Sequence, residues 1–220
     1  MKTISKIFRN IIGILLLPLC AGAVTALYQA LAAEKAASAS SLLFLAGAVI
    51  WVLVFIFLPK PDTIYVFGHE ATHAIFGWIS GGKLKGMKVN SSGGETLTTK
   101  SNFLITLSPY FFPFYAVLVI IAYVIGSLLW NWSAYSLVFF FLLGAAYAFH
   151  ISYTFHTLKT EQPDIAKEGY IFSGAVILLC NLLILLLGAS MFSPSANIPS
   201  VFSAWLSQSA GIYENLLGLL

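Results

Sequence analysis

The sequence predicts an all-α, multi-pass membrane protein with about six transmembrane helices and a short β-hairpin after the third. Three observations carry this reading. Of the 220 residues, 59% are hydrophobic and only 9% are charged, too little polar surface to coat a soluble globule. Apolar runs recur between polar interruptions at roughly the 20-residue length needed to cross a ~30 Å hydrocarbon core. Eleven Lys and Arg against eight Asp and Glu leave a net charge of +3 without a basic block. A nucleic-acid partner therefore has no electrostatic footprint, and the lipid bilayer is the expected solvent.

Cutting the chain at its polar interruptions gives spans at approximately 11–32, 41–59, 62–80, 102–127, 133–158 and 169–192. Helix is the expected backbone because lipid offers no partners to open peptide groups. The first run follows Lys2, Lys6 and Arg9 as a secretory signal would, but later spans make it a retained first helix. Gly81 to Lys100 is polar, and Leu84, Met87, Val89 and Leu97 alternate imperfectly around Ser91-Ser92-Gly93-Gly94. That pattern reads as a hairpin, with a solvated loop as the alternative. Pro109 and Pro113 would loosen the fourth span. Cys20 and Cys180 lie in apolar runs, where they form neither a disulfide framework nor a cysteine metal cluster. Residues 1–192 read as one membrane domain and 193–220 as a tail. In that tail Phe202, Trp205, Leu206, Tyr213, Leu216 and Leu217 recur at helical spacing, as in an amphipathic helix at the membrane interface.

The third span contains His69-Glu70-Ala71-Thr72-His73, an H-E-x-x-H pattern. Residues four apart share a helix face at ~6 Å of rise, so both imidazoles can reach one zinc ion. Glu70 beside them is placed to take a proton from a water and pass it to a leaving nitrogen. With four His in the chain, chance produces this pattern only about 0.002 times per shuffled sequence. The competing reading is hydrogen-bonding glue between helices. Ionisable groups at membrane depth are costly, which favours the zinc site with Glu70 as the catalytic residue.

Catalytic zinc keeps three protein ligands and one open position. Asp62 stands seven residues before His69, about 10 Å along the same axis, and cannot close the site. Asp164, in Gln162-Pro163-Asp164-Ile165, is the remaining Asp and the candidate third ligand. Its other reading is an acid in the first turn of a helix started by Pro163. Glu161, Glu168, His150 and His156 are the alternatives, and His156 could instead orient a ligand or donate to a developing oxyanion.

These residues resemble the site-2 protease family of intramembrane zinc metalloproteases, specifically its short bacterial members. The likeness covers about residues 62–185. It rests on His-Glu-Ala-Thr-His in a membrane helix, Gly81-Gly82 and the polar hairpin, a span beginning Leu107-Ser108-Pro109-Tyr110-Phe111-Phe112-Pro113, and an Asp near a later boundary. The resemblance implies zinc as cofactor, Glu70 as the catalytic acid and base, and cleavage of an unwound helix of a membrane-protein substrate. It also implies residence in a bacterial cytoplasmic membrane. Where the family carries Leu-Asp-Gly, this chain has Pro163-Asp164-Ile165. A catalytically inactive zinc-binding protein that binds membrane clients is the second reading. An ion transporter ranks third, because the fourth and sixth spans offer few polar groups.

Overall fold

A computed structural model describes residues 2–33, 38–192 and 197–219. The Pro194–Pro199 connection expected from sequence lies partly outside the described residues. In chain order the elements are α1 (Lys2–Ala32), α2 (Ala39–Phe57), α3 (Asp62–Ile79), β1 (Leu84–Asn90), β2 (Gly93–Thr98), α4 (Phe103–Leu107), α5 (Phe114–Trp130), α6 (Ser136–Thr157), α7 (Pro163–Glu168), α8 (Tyr170–Ala189) and α9 (Ile198–Leu217). Short 3-10 turns at Ser108–Tyr110 and Trp132–Tyr135 precede α5 and α6. Ser38, Asn102 and Asn197 cap α2, α4 and α9, each side chain accepting from a backbone N–H three residues on.

Among the described residues four helical stretches are long and apolar enough to cross a membrane: Lys6–Ala32, Ala39–Phe57, Trp132–Thr157 and Tyr170–Ala189. A fifth exists if Phe103–Tyr110 and Phe114–Trp130 are one span bent by 80°. Six were expected. The difference is α3, which is helical where a span was read at 62–80 but is made less apolar by Asp62, His69, Glu70 and His73. The bend before α5 falls at the prolines singled out in the sequence, Pro109 within the 3-10 turn and Pro113 capping α5.

The chain forms two compact units, Ser38–Gln162 and the union of Met1–Ala37 with Pro163–Leu220. In the first, α2 and α6 run the same way. Trp51 meets Phe149 at 4.9 Å between ring centroids, and Phe55 meets Tyr153 at 5.3 Å and His156 at 5.9 Å. Their close approach depends on glycine, since a Cβ on Gly47 would strike the Phe141 carbonyl oxygen and one on Gly144 the Phe44 carbonyl oxygen. α5 runs against α6, with Tyr115 on Phe149 and Tyr123 stacked on Phe139 at 4.2 Å. Phe139, Leu143 and Ala116 form the buried core there.

In the second unit α1 and α8 also run the same way. Gly13 abuts Phe172, Cys20 lies against Ala175, and Ala23 and Ala26 pack with Leu182 and Leu186. The tail helix forms as α9 and packs on α1, where Ser209 meets Gly22. Trp205 Nε1 donates to the Leu19 carbonyl at 3.0 Å, and the Tyr213 hydroxyl donates to that of Leu15. Val201 and Ser209 are its buried positions, Phe202, Trp205 and Tyr213 are half-buried, and Leu206, Leu216 and Leu217 stay exposed.

The polar segment after α3 is the hairpin, antiparallel and paired Met87 to Thr96, Lys88 to Glu95 and Val89 to Gly94. The turn is tighter than the Ser91–Gly94 quartet suggested. Asn90 pairs with Gly93, so both glycines belong to β2, and Asn90 Oδ1 accepts from the Ser92 N–H at 2.9 Å to close the turn.

Candidate metal centre

α3 carries the motif on a helix, as its spacing requires. The His69 and His73 ring centroids lie 4.9 Å apart with their planes at 79°. His73 Nδ1 is 2.8 Å from the Ile105 carbonyl oxygen, a contact in which the ring donates. His69 Nδ1 is 3.4 Å from the Tyr65 hydroxyl. Each imidazole is thus oriented through Nδ1, the arrangement that fixes a metal-ligating histidine for coordination through Nε2. The site fits zinc on this chemistry.

Tyr65 is itself supported. Its ring stacks on Tyr153 at 4.5 Å and 7°, and the Tyr153 hydroxyl donates to Asp62 Oδ1 at 3.2 Å. Asp62, set aside as a ligand from its spacing, thus has a supporting place reached from His69 through Tyr65 and Tyr153. The Tyr110 ring meets His69 edge-on at 5.3 Å.

Glu70 is buried, only 5% exposed. The hairpin covers it. The Thr96 hydroxyl donates to the Glu70 carbonyl at 3.1 Å, and the Gly94 backbone presses on the Glu70 side chain. A Cβ on Gly94 would lie 2.5 Å from Glu70 Cγ and 2.8 Å from Oε1. Gly77 meets Thr98 in the same way, so two glycine contacts let the strand lie flat on α3.

Among the alternatives for a third ligand, Glu168 is buried in an ion pair with Arg9. His156 is exposed and packs on Phe55 and Tyr153, and Glu161 is exposed. His150 is buried and lines a small cavity with His69, Thr72, Pro109, Phe112 and Phe149. Asp164 stands, half-buried, in the first turn of α7, in the unit that also holds α1 and α8.

Sequence reasoning missed Tyr65, Gly94 and the Ile105 carbonyl. Tyr65 stands four residues before His69, one helical turn, a spacing that could have drawn notice. The other two come from distant segments and left no local signal.

Neither curated proteins nor solved structures provide a match to this sequence. Residues 40–160 match the Peptidase M50B-like family, a stretch that holds α3, the hairpin and α4 to α6. That match covers more than half of the 220 residues and contains both histidines and Glu70, and the chain belongs to the Peptidase M50B-like family.

Proposed function

We propose that this multi-pass membrane protein is a zinc-dependent intramembrane endopeptidase acting on membrane-protein substrates, in the cytoplasmic membrane of a bacterium. The observation that carries the proposal is the pair of Nδ1-anchored imidazoles one turn apart, with the buried Glu70 beside them in the chain and under a glycine of the hairpin.

In this reading His69, His73 and Asp164 hold the metal. Two imidazoles and a carboxylate form a donor set common in zinc hydrolases. A further support is that the Tyr110 hydroxyl, whose ring touches His69, donates to Gln162 Oε1 at 3.4 Å. Asp164 follows only two residues later, within a chain reach of about 7 Å. Bound zinc would supply Lewis acidity toward the scissile carbonyl and make a water more acidic. Glu70 takes the proton from the attacking water at a carboxylate oxygen and then delivers it to the departing amide nitrogen. Burial under β2 keeps bulk water from competing for that carboxylate. An extended substrate would satisfy its backbone along the edge of the hairpin, which lies directly over Glu70.

The helix directions support five crossings. Two helices that cross the same way need an odd number of crossings between them, and this holds for α2 and α6 and for α1 and α8. Between α2 and α6 the apolar bent pair of α4 and α5 then crosses, while α3 and the hairpin stay on the side where α2 ends. Among the described residues every Lys and Arg falls on that one side, which makes it cytoplasmic. Six crossings would instead put Lys2, Lys6 and Arg9 on the opposite side from the lysines of the hairpin.

The test is Glu70→Gln in purified protein. The ligands survive, so bound zinc stays at the wild-type ratio, while cleavage of a membrane substrate falls by at least about 100-fold. Undiminished cleavage overturns the mechanism. Zinc binding with no cleavage by the wild-type protein would favour the inactive zinc-binding reading, which Pro163-Asp164-Ile165 in place of Leu-Asp-Gly supports.

A further inference from the structure

α7 is six residues long, bounded by the turn after α6 and by Gly169, whose φ of +100° breaks the helix before α8. So short a helix has no stability of its own, and packing must set its position. The packing comes from one face of α1. Lys6, Arg9, Asn10 and Gly13 recur at i, i+3, i+4 and i+7, a single stripe. Lys6 Nζ donates to the Ala166 carbonyl at 3.1 Å, placing a cation at the C-terminal carbonyls of α7. Arg9 pairs with Glu168, whose side chain is 3% exposed. Asn10 Oδ1 lies 3.1 Å from where a Cβ on Gly169 would stand, and Gly13 meets the Phe172 backbone.

We propose that Arg9 and Glu168 are positioning residues for the metal site: the ion pair fastens α7 to α1 and thereby sets the Asp164 carboxylate one turn earlier on α7. The inference rests on the reading of Asp164 as third ligand. A buried carboxylate demands a partner, and here the partner comes from the first helix, outside the residues that match the family. Arg suits the task because its planar fork holds a carboxylate in a defined orientation. In this view α1 is a strut for the catalytic centre as well as a membrane anchor.

The experiment measures cobalt(II) affinity and the cobalt ligand-field absorption of the full-length protein in detergent, beside thermal unfolding of the metal-free protein. Arg9→Gln and Glu168→Gln each weaken cobalt binding by about tenfold and alter the absorption. The charge-swapped pair, Arg9→Glu with Glu168→Arg, restores much of the affinity. In an Asp164→Asn background, Glu168→Gln has no further effect on affinity, because the group it positions is gone. If Asp164→Asn weakens cobalt binding but the Arg9 and Glu168 variants bind as wild type, the positioning role is overturned and the ligand reading stands. The positioning role is equally overturned if those variants lower only the unfolding temperature. Unchanged cobalt binding in Asp164→Asn overturns the ligand reading, and the positioning role with it.

Discussion

Adding a single methyl group at Gly94 tests whether the hairpin sets the catalytic carboxylate. The new Cβ would lie 2.5 Å from Glu70 Cγ, 2.8 Å from Oε1 and 2.8 Å from Val66 Cγ1. To reach an ordinary 3.4 Å contact, Glu70 Cγ must retreat by about 0.9 Å or the strand must lift by as much. The strand resists lifting, because Thr96 bonds the Glu70 carbonyl and Thr98 fits against Gly77. The carboxylate gives way, and a misplacement of about 1 Å at a proton-transfer group costs on the order of 100-fold in rate. Gly94→Ala should therefore lower kcat for cleavage of a membrane peptide by about that factor and leave bound zinc unchanged, since the atoms nearest the new Cβ belong to Glu70 and Val66. Gly86→Ala on the partner strand is the control, with nothing within 4 Å of its Cβ. Equal kcat for Gly94→Ala and wild type would refute the reasoning. So would equal losses for the two alanine variants.

Three other expectations follow from the same geometry. Tyr65→Phe removes the hydroxyl facing His69 Nδ1 but keeps the ring stacked on Tyr153, so zinc affinity should fall by about tenfold with little change in unfolding temperature. Equilibrium competition with a zinc-binding dye measures it. Gly47→Ala and Gly144→Ala each force α2 and α6 apart and should destabilise the protein by about 1–3 kcal/mol, read as a lowered Tm, whereas Gly188→Ala, with open space at its Cβ, should not. For the topology, Ser91→Cys in the hairpin turn and Ser133→Cys before α6, each in a background lacking Cys20 and Cys180, should be labelled by a membrane-impermeant thiol reagent from opposite sides. Labelling of both from one side would contradict the five-crossing arrangement.

How legible the molecule is in its sequence depends on the range of the forces that shape each part. The motif on α3 is short-range: a 3.6-residue period puts His69 and His73 on one face whatever surrounds them, and the helix forms as read. The hairpin is nearly as local, since its pattern and turn residues lie within twenty positions, although Gly93 and Gly94 joined the strand instead of the turn. Gly94 shows where such reading stops. Its neighbour Glu70 is 24 residues away, and the demand for a missing side chain arises only when strand and helix meet. The same holds for Glu168, which as a sequence letter competed to be a ligand. Its burial beside Arg9 joins residues 159 apart, and no periodicity reports that.

Span counting rests on a different property. A hydropathy window registers how apolar a segment is and is blind to the direction in which neighbouring helices run. Direction is a tertiary property, fixed here by glycine contacts such as Gly47 on α6 and Gly13 on α8. In the proposed arrangement the bent pair of α4 and α5 crosses, and parity between the parallel α2 and α6 then leaves α3 without a crossing. Its composition agrees: four ionisable residues over eighteen make a poor lipid-facing helix but a good bearer of a metal site covered by protein. The polar residues that reveal the chemistry are thus the same ones that spoil the span, and a helix suited to holding a metal and a buried carboxylate is unsuited to crossing lipid on its own.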